Sequence, residues 1–278
     1  MSLVFRCGEK SIELALERMR SDGLVSDDAW FNFNAPDRLR SEVAYRDFDF
    51  LTRLCRVGDA ETSRAILECL KQNEIVSKDL SFDEEVFEAF QKEVKQKFKI
   101  PGTSITPVME RLLFLLSALK RPQRAIGLGT YHGYALVWAV GASCGAQPAY
   151  GAEKFYAIDI DPDVTQSALE NFAQLEHTDH IEFIAGDGLD IVEQLDGPFD
   201  YIYLDVDSRE LGKGIYLDLL QGLYDKLEVG GWALAHDTCV PPFADQLEGY
   251  LAFVRDQDNF SQSISFDIDP FGLELSIK

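Results

Sequence analysis

The chain has 278 residues and carries 26 basic against 48 acidic side chains, a formal net charge of −22. A field of that sign repels phosphate backbones and anionic lipid, which disfavours nucleic acid and membrane surfaces as partners, and neither is expected. With 46% hydrophobic and 27% charged residues, the composition is that of a folded, water-soluble chain and not of a disordered or fibrous one.

The opening MSLVFRCGEK has no apolar signal core, and no apolar run reaches the ~20 residues of a membrane span, so a cytoplasmic location is expected. Cys7, Cys55, Cys69, Cys144 and Cys239 are scattered with no CxxC pair and read as reduced thiols. Helical patterns run over Ile12 to Leu24 and Phe50 to Ile75, around an irregular stretch, Asp28 to Arg38, that holds Trp30, Phe31, Phe33 and Pro36. Ser81 and Glu84 have the spacing of a capping box, and Val86, Phe87, Phe90, Val94 and Phe98 then fall on one helical stripe. Residues 1–100 therefore read as a helical N-terminal cap or dimerisation region, without a catalytic constellation, and a homodimer is expected.

Thr106 and Pro107 supply an N-cap and first-turn proline for an apolar helix over Val108 to Leu119. From Arg124 onward the runs RAIGLGT, KFYAIDID, HIEFIAGD, FDYIYLDVD and GWALAHD alternate with amphipathic helices, the pattern of a parallel sheet covered on both faces. The final runs, SISFDIDP and FGLELSIK, meet at a turn from Asp269 to Gly272 with no room for a crossover helix, so they pair antiparallel. The expected fold is α/β: a Rossmann-like, mostly parallel seven-stranded sheet ending in an antiparallel hairpin, over residues 101–278, with the N-terminal helical region before it.

The first strand runs into GLGTYHGYA. A glycine-rich turn ahead of a helix lets backbone approach a ligand closely. Gly127, Gly129 and Gly133 are spaced GxGxxxG, not the GxGxxG of dinucleotide folds, which removes the best support for a nicotinamide or flavin. The second strand ends at Asp159, placed to accept bonds from a ribose diol, and the third at Asp187, placed to accept from an adenine amine. Singly, each reads equally as a solvated strand-end carboxylate.

In this order the motifs resemble the class I S-adenosylmethionine-dependent O-methyltransferases of the catechol and caffeoyl-coenzyme A type. The resemblance rests on GTYHGYA, AIDIDPD, FDYIYLDVD, LEVGGWALAHD and the closing DPFGLELSIK, and spans roughly Pro101 to Lys278. It implies S-adenosylmethionine as cofactor, held by Gly127, Gly129, Thr130, Tyr131, Gly133, Tyr134, Asp159, Ile160, Asp187, Gly188 and Asp205. The family usually has an acidic residue where Gly127 stands and often a serine where Ala135 stands; Asp205 is then expected to carry more of the contact with the cofactor amine.

Methyl transfer requires a nucleophilic oxygen to be aligned and relieved of its proton, and a bound Mg²⁺ can do both. Asp205 and Asp237, at neighbouring strand ends, match the family's metal ligands, with Thr238 in place of the usual asparagine. The lysine that serves some relatives as base is replaced by Ser208. Asp207, His236 and Lys213 are the nearby substitutes: alternation along an extended strand puts Asp205 and Asp207 on one face, and His236 is either a base or a packed residue on the face opposite Asp237. Lys213, in a glycine-flanked loop, reads as a solvated lysine. The aromatic residues Trp30, Phe31, Phe33 and Trp138 read either as pocket walls or as core.

The leading function is O-methylation of a hydroxyl, aromatic or aliphatic, on a small molecule, with Asp205, Asp237, His236 and Asp207 as catalytic candidates and Asp205, Asp237 and Thr238 as metal candidates. The alternatives are a metal-independent methyltransferase, a methyltransferase-like protein using the cofactor for other chemistry, and a non-catalytic partner subunit.

Overall fold

In the computed structural model of the chain, residues 2–5, 59–100, 105–269 and 271–278 are described. The pattern over Ile12 to Leu24, the stretch with Trp30, Phe31 and Phe33, and Cys7 and Cys55 lie outside them. The runs read as strands become β2 (Arg124–Leu128), β3 (Lys154–Asp159), β4 (Ile181–Ala185), β5 (Phe199–Leu204) and β6 (Leu227–His236), all mutually parallel. The hairpin strands β7 (Gln262–Phe266) and β8 (Leu273–Ile277) are antiparallel to each other, and β8 is antiparallel to β6.

These seven strands form the expected Rossmann-like sheet. An eighth, β1 (Ser2–Phe5), joins its edge parallel to β7, giving the order β1-β7-β8-β6-β5-β2-β3-β4. That strand departs from the helical reading of the N-terminal region. Four residues are too few to show a period, while the free edge of β7 offers a row of backbone partners.

Among the described residues eight α-helices cover the sheet: α1 (Asp59–Gln72), α2 (Glu84–Lys97), α3 (Pro107–Lys120), α4 (Tyr134–Val140), α5 (Pro162–Phe172), α6 (Gly188–Gln194), α7 (Ile215–Tyr224) and α8 (Ala244–Arg255). Alternation along the strands divides the core in two. Ala125, Tyr201 and Leu234 face a layer that includes Ile66, Phe87, Leu112 and Val137, whereas Ile126, Ile202 and Ala233 face Val192, Leu219 and Leu247. The stripe predicted on α2 is the face it buries: Phe87 stacks at 5.3 Å on Phe114 and 6.1 Å on Trp138, and each such ring contributes about 1.5–3 kcal/mol by burial. Its cap, however, is Asp83 and not Ser81; the Asp83 Oδ1 accepts from the N–H groups of Glu85 and Val86. Thr106 caps α3 as expected.

The hairpin contains a buried charge. Glu274 is fully buried on β8 and receives two bonds from the Arg255 guanidinium, at 2.8 and 2.9 Å, and one from the Ser263 hydroxyl at 2.6 Å. The site lies at the carboxyl ends of β2, β3, β5 and β6. Chain order reverses on either side of β2, and such switch points open a crevice in parallel sheets.

Candidate active site

The turn after β2 is tied to the end of β3. The N–H groups of Gly129 and Thr130 both donate to the Ile158 carbonyl, at 2.9 and 3.1 Å, and the Thr130 hydroxyl adds a bond to the same oxygen at 3.0 Å. Gly129 has φ +84°, and a Cβ there would stand 2.1 Å from the Asp205 carbonyl oxygen, so only glycine lets the β2 and β5 loops meet. Tyr131 also takes a left-handed conformation, φ 47°, and its N–H donates to the Asp159 Oδ2 at 2.7 Å. The Asp159 Oδ1 accepts from the Asp161 N–H at 3.0 Å. The carboxylate is thereby fixed by two backbone donors, with a lone pair left on each oxygen.

Tyr131 (46% exposed) and Ile160 (71%) flank Asp159 and offer apolar surface that a ligand can cover. Gly133 closes the turn through its N–H to the Thr130 carbonyl at 2.8 Å and starts α4. Asp187 is the N-cap of α6, with Oδ1 accepting from the Leu189 N–H at 2.8 Å, and Gly188 follows under Leu128.

Two of the expected cofactor residues face elsewhere. Gly127 is buried beneath α4, where a Cβ would meet the Leu136 Cδ1 at 2.6 Å, so its role is to let helix and sheet approach. The Tyr134 ring lies in the helical layer and its hydroxyl donates to the buried Glu110 at 2.7 Å; only its backbone remains with the turn. Trp138 is fully buried in the same layer, the core alternative for that residue.

The chemical groups gather one strand over. Asp205 follows the last residue of β5, and its N–H donates to the Leu128 carbonyl at 2.9 Å. His236 ends β6, and Asp237 then turns into the left-handed region at φ 64°. That turn cancels the strand alternation which would have separated their side chains: the His236 Nδ1 lies 3.3 Å from an Asp237 oxygen and 3.5 Å from Asp205. Ligand atoms of Asp205, His236 and Asp237 all lie within 4.8 Å of one another. Asp207 stays outside and exposed, because β5 ends at Leu204 and the extended backbone does not persist.

Lys213, read from the sequence as a solvated lysine, is instead at the centre. It is 3% exposed, with its ammonium 2.8 Å from Asp237, 3.3 Å from Asp205 and 3.1 Å from the Tyr216 hydroxyl. The available signal was the cost of burying two carboxylates at the ends of apolar strands, which calls for a cation nearby. The Tyr216 hydroxyl donates onward to the His236 carbonyl at 3.3 Å, and Tyr203 donates to the Asp205 Oδ2 at 3.2 Å. Burial alone would raise the Asp205 carboxyl, but the charges of His236 and Lys213 outweigh it and hold it below the usual carboxylate range. For His236, burial favours the neutral ring, yet Asp237 and Asp205 prevail and push it up to about 9. The same carboxylates, with Tyr216, hold the Lys213 ammonium well above its ordinary value against its burial.

This donor set does not fit Mg²⁺. The ion prefers a near-octahedral shell of oxygens, several of them from water. Here one oxygen of each carboxylate is already bonded to the ammonium, and the third convergent atom is an imidazole nitrogen. A divalent ion ~4 Å from that ammonium would be repelled by about 8 kcal/mol at an effective dielectric constant of ~20. Thr238, expected as a third ligand, keeps its hydroxyl oxygen buried, and neither it nor the His236 Nε2 has a hydrogen-bond partner among the described residues.

Residues 126–238 match the family described as a methyltransferase domain. A catechol O-methyltransferase of Niastella koreensis is 30% identical over 113 residues, 39% of this chain and 48% of the relative, so the chain spans about half the length of that protein. An Arabidopsis thaliana protein assigned by name to the caffeoyl-CoA O-methyltransferases is 29% identical over 169 residues, 59% of this chain and 68% of the relative. The fold is shared with the O-methyltransferase TomG of Streptomyces achromogenes, solved with S-adenosylmethionine (TM-score 0.52, 20% identity, 72% of this chain and 92% of that one). It is also shared with an O-methyltransferase of Bacillus cereus, solved with S-adenosylhomocysteine (TM-score 0.53, 15% identity, 77% and 97%).

Proposed function

We propose that this chain, which carries a methyltransferase domain over residues 126–238, is an S-adenosylmethionine-dependent O-methyltransferase acting on a hydroxyl of a small molecule. The observation that carries the reading is the junction at Gly129. There a glycine turn pinned to the Asp159 carboxylate touches the loop that presents Asp205, so a nucleoside-binding edge and a proton-handling cluster share one crevice. Bound S-adenosylmethionine supplies a methyl group on a positively charged sulfur, open to attack by an oxygen lone pair.

The residues of the chain divide the remaining work. Asp159 accepts the ribose hydroxyls through its free lone pairs, Tyr131 and Ile160 cover the nucleoside, and Asp187 receives the adenine amine beside its capping bond. Thr130, Gly133 and Gly188 shape the backbone around it, and Asp205 faces the cofactor amine. The hydroxyl to be methylated meets the Asp237 side of the cluster. At neutral pH its proton passes to carboxylate oxygen while His236 is held as a cation. Above about 9 the neutral imidazole joins as acceptor.

The division into a helical region, 1–100, and a catalytic domain, 101–278, belongs to this proposal. The packing of α1 and α2 into the core with α3 and α4 supports a covering layer continuous with the domain. A homodimer and a cytoplasmic setting complete it; no helix among the described residues is long and apolar enough to cross a membrane. Calorimetry with S-adenosylmethionine and S-adenosylhomocysteine, followed by transfer of labelled methyl to a panel of small catechols and alcohols, tests the reading. Absence of cofactor binding by the intact chain would overturn it.

A further inference from the structure

We infer that the Lys213 ammonium is the resident cation of this active site, holding the place between Asp205 and Asp237 that a divalent metal would otherwise take, so that methyl transfer here is metal-independent. The inference rests on the proposed function for its reaction. Its geometric content, a carboxylate pair already closed by an internal cation, does not.

The lysine is built in from several sides. Its loop is closed by the paired bonds between Ser208 and Gly212, at 3.1 and 2.8 Å, and its own N–H donates to the Gln246 side chain at 2.7 Å. The ammonium lies 5.3 Å from the centre of the Tyr216 ring and 5.7 Å from that of Phe243, so aromatic surface flanks it where water would otherwise reach. An ammonium has three donors, and this one has three acceptors: Asp205, Asp237 and Tyr216.

Two consequences follow from that full complement. With no donor left for an acceptor hydroxyl, Lys213 is a positioning residue and not a catalytic one. It fixes the spacing of two carboxylates that would otherwise repel each other. A metal ion entering between Asp205 and Asp237 has to displace, or sit against, an ammonium that is 3% exposed and has all three donors engaged. The charge it provides is permanent, so the site needs no ion from solution to be formed.

The test is metal binding by the full chain after EDTA treatment, followed by Mn²⁺ electron paramagnetic resonance and elemental analysis, with S-adenosylmethionine affinity measured on the same samples. The wild type is expected to retain no stoichiometric metal and to show no change in melting temperature with Mg²⁺ or Mn²⁺. Lys213→Ala opens the carboxylate pair and is expected to bind Mn²⁺ about tenfold or more tightly than the wild type, with a melting temperature that rises on adding either ion. Lys213→Arg keeps a cation and should remain indifferent to both.

One Mn²⁺ bound per wild-type chain, or wild-type turnover lost to EDTA and restored by Mg²⁺, would overturn the inference, as would a folded Lys213→Ala protein that stays indifferent to metal. If that variant does not fold, the wild-type and Lys213→Arg measurements decide. Failure of cofactor binding with a metal-free wild type would instead remove the proposed reaction and leave the resident cation standing.

Discussion

The Asp237 carboxylate and the Lys213 ammonium lie 2.8 Å apart, at the point where β6 ends and Asp237 turns to φ 64°. A non-glycine residue in that region is held there by its surroundings, and the Lys213 ammonium and the His236 ring both meet its carboxylate there.

Lys213→Met is therefore expected to cost about 3 kcal/mol of stability, because it leaves two half-buried carboxylates facing each other with His236 as their one counter-charge among the described residues. Urea unfolding in metal-free buffer measures this. The Lys213→Met, Asp237→Asn double variant should recover part of the loss, since one of the stranded charges is then gone. Equal stabilities for wild type and Lys213→Met would place the pair among contacts of no energetic weight.

Stability should also depend on the charge of His236. Its folded value of about 9 lies above the ordinary histidine value of 6.5, so folding favours the protonated ring. The resulting contribution, about 3 kcal/mol, is fully present below pH 6.5 and is lost as pH rises through about 9. His236→Gln should flatten the stability profile across that window. An identical slope in variant and wild type would assign it to other groups.

Asp159→Asn replaces one acceptor oxygen by an N–H donor, so one of the two backbone N–H groups or one ribose hydroxyl loses its partner. Affinity for S-adenosylhomocysteine should fall by about 1.5–3 kcal/mol, read by calorimetry. The melting temperature of the cofactor-free protein should fall with it, because the Tyr131 N–H is tied to the same carboxylate. Unchanged affinity would remove Asp159 from the cofactor site.

Gly129→Ala carries two penalties, a left-handed φ of +84° and a Cβ 2.1 Å from the Asp205 carbonyl oxygen. A loss of at least ~3 kcal/mol is expected, together with weaker cofactor binding as the two loops part. Gly151→Ala is the control, since a Cβ there meets nothing within 4 Å. Similar melting temperatures for the two variants would show that the crevice tolerates the strain.

The sheet was legible wherever periodicity and length combine. Five apolar runs separated by helices leave few topologies open, and the turn at Asp269 to Gly272 leaves no alternative to a hairpin. Ser2–Phe5 was not legible, because its structure comes from the edge of β7, some 260 residues away. Local rules failed where the backbone changed direction. Asp207 was paired with Asp205 by strand alternation that stops at Leu204, and His236 and Asp237 share a site only because Asp237 turns left-handed. Motif position does not tell which way Gly127 and Tyr134 face, since their directions are set by packing against α4 and Glu110. Lys213 stands among the site's candidates in the sequence yet reads first as a solvated lysine, because burial is a property of the assembled molecule: eight residues beyond Asp205, in a loop between glycines, nothing local distinguishes it from a surface lysine.

The strand latest in sequence, β8, sits between β6 and β7. The nascent sheet can therefore grow outward from β2 as far as β6, but neither β7 nor β1 can attach in its final register until Leu273–Ile277 has been inserted. Closing such a long-range pairing is slow, and until it happens the β6 edge stands open to strands of other chains. Glu274 lies on that inserted strand, and a register slip of one residue would turn its carboxylate away from Arg255 and Ser263. The same buried charge that the mature hairpin satisfies thus proofreads its assembly.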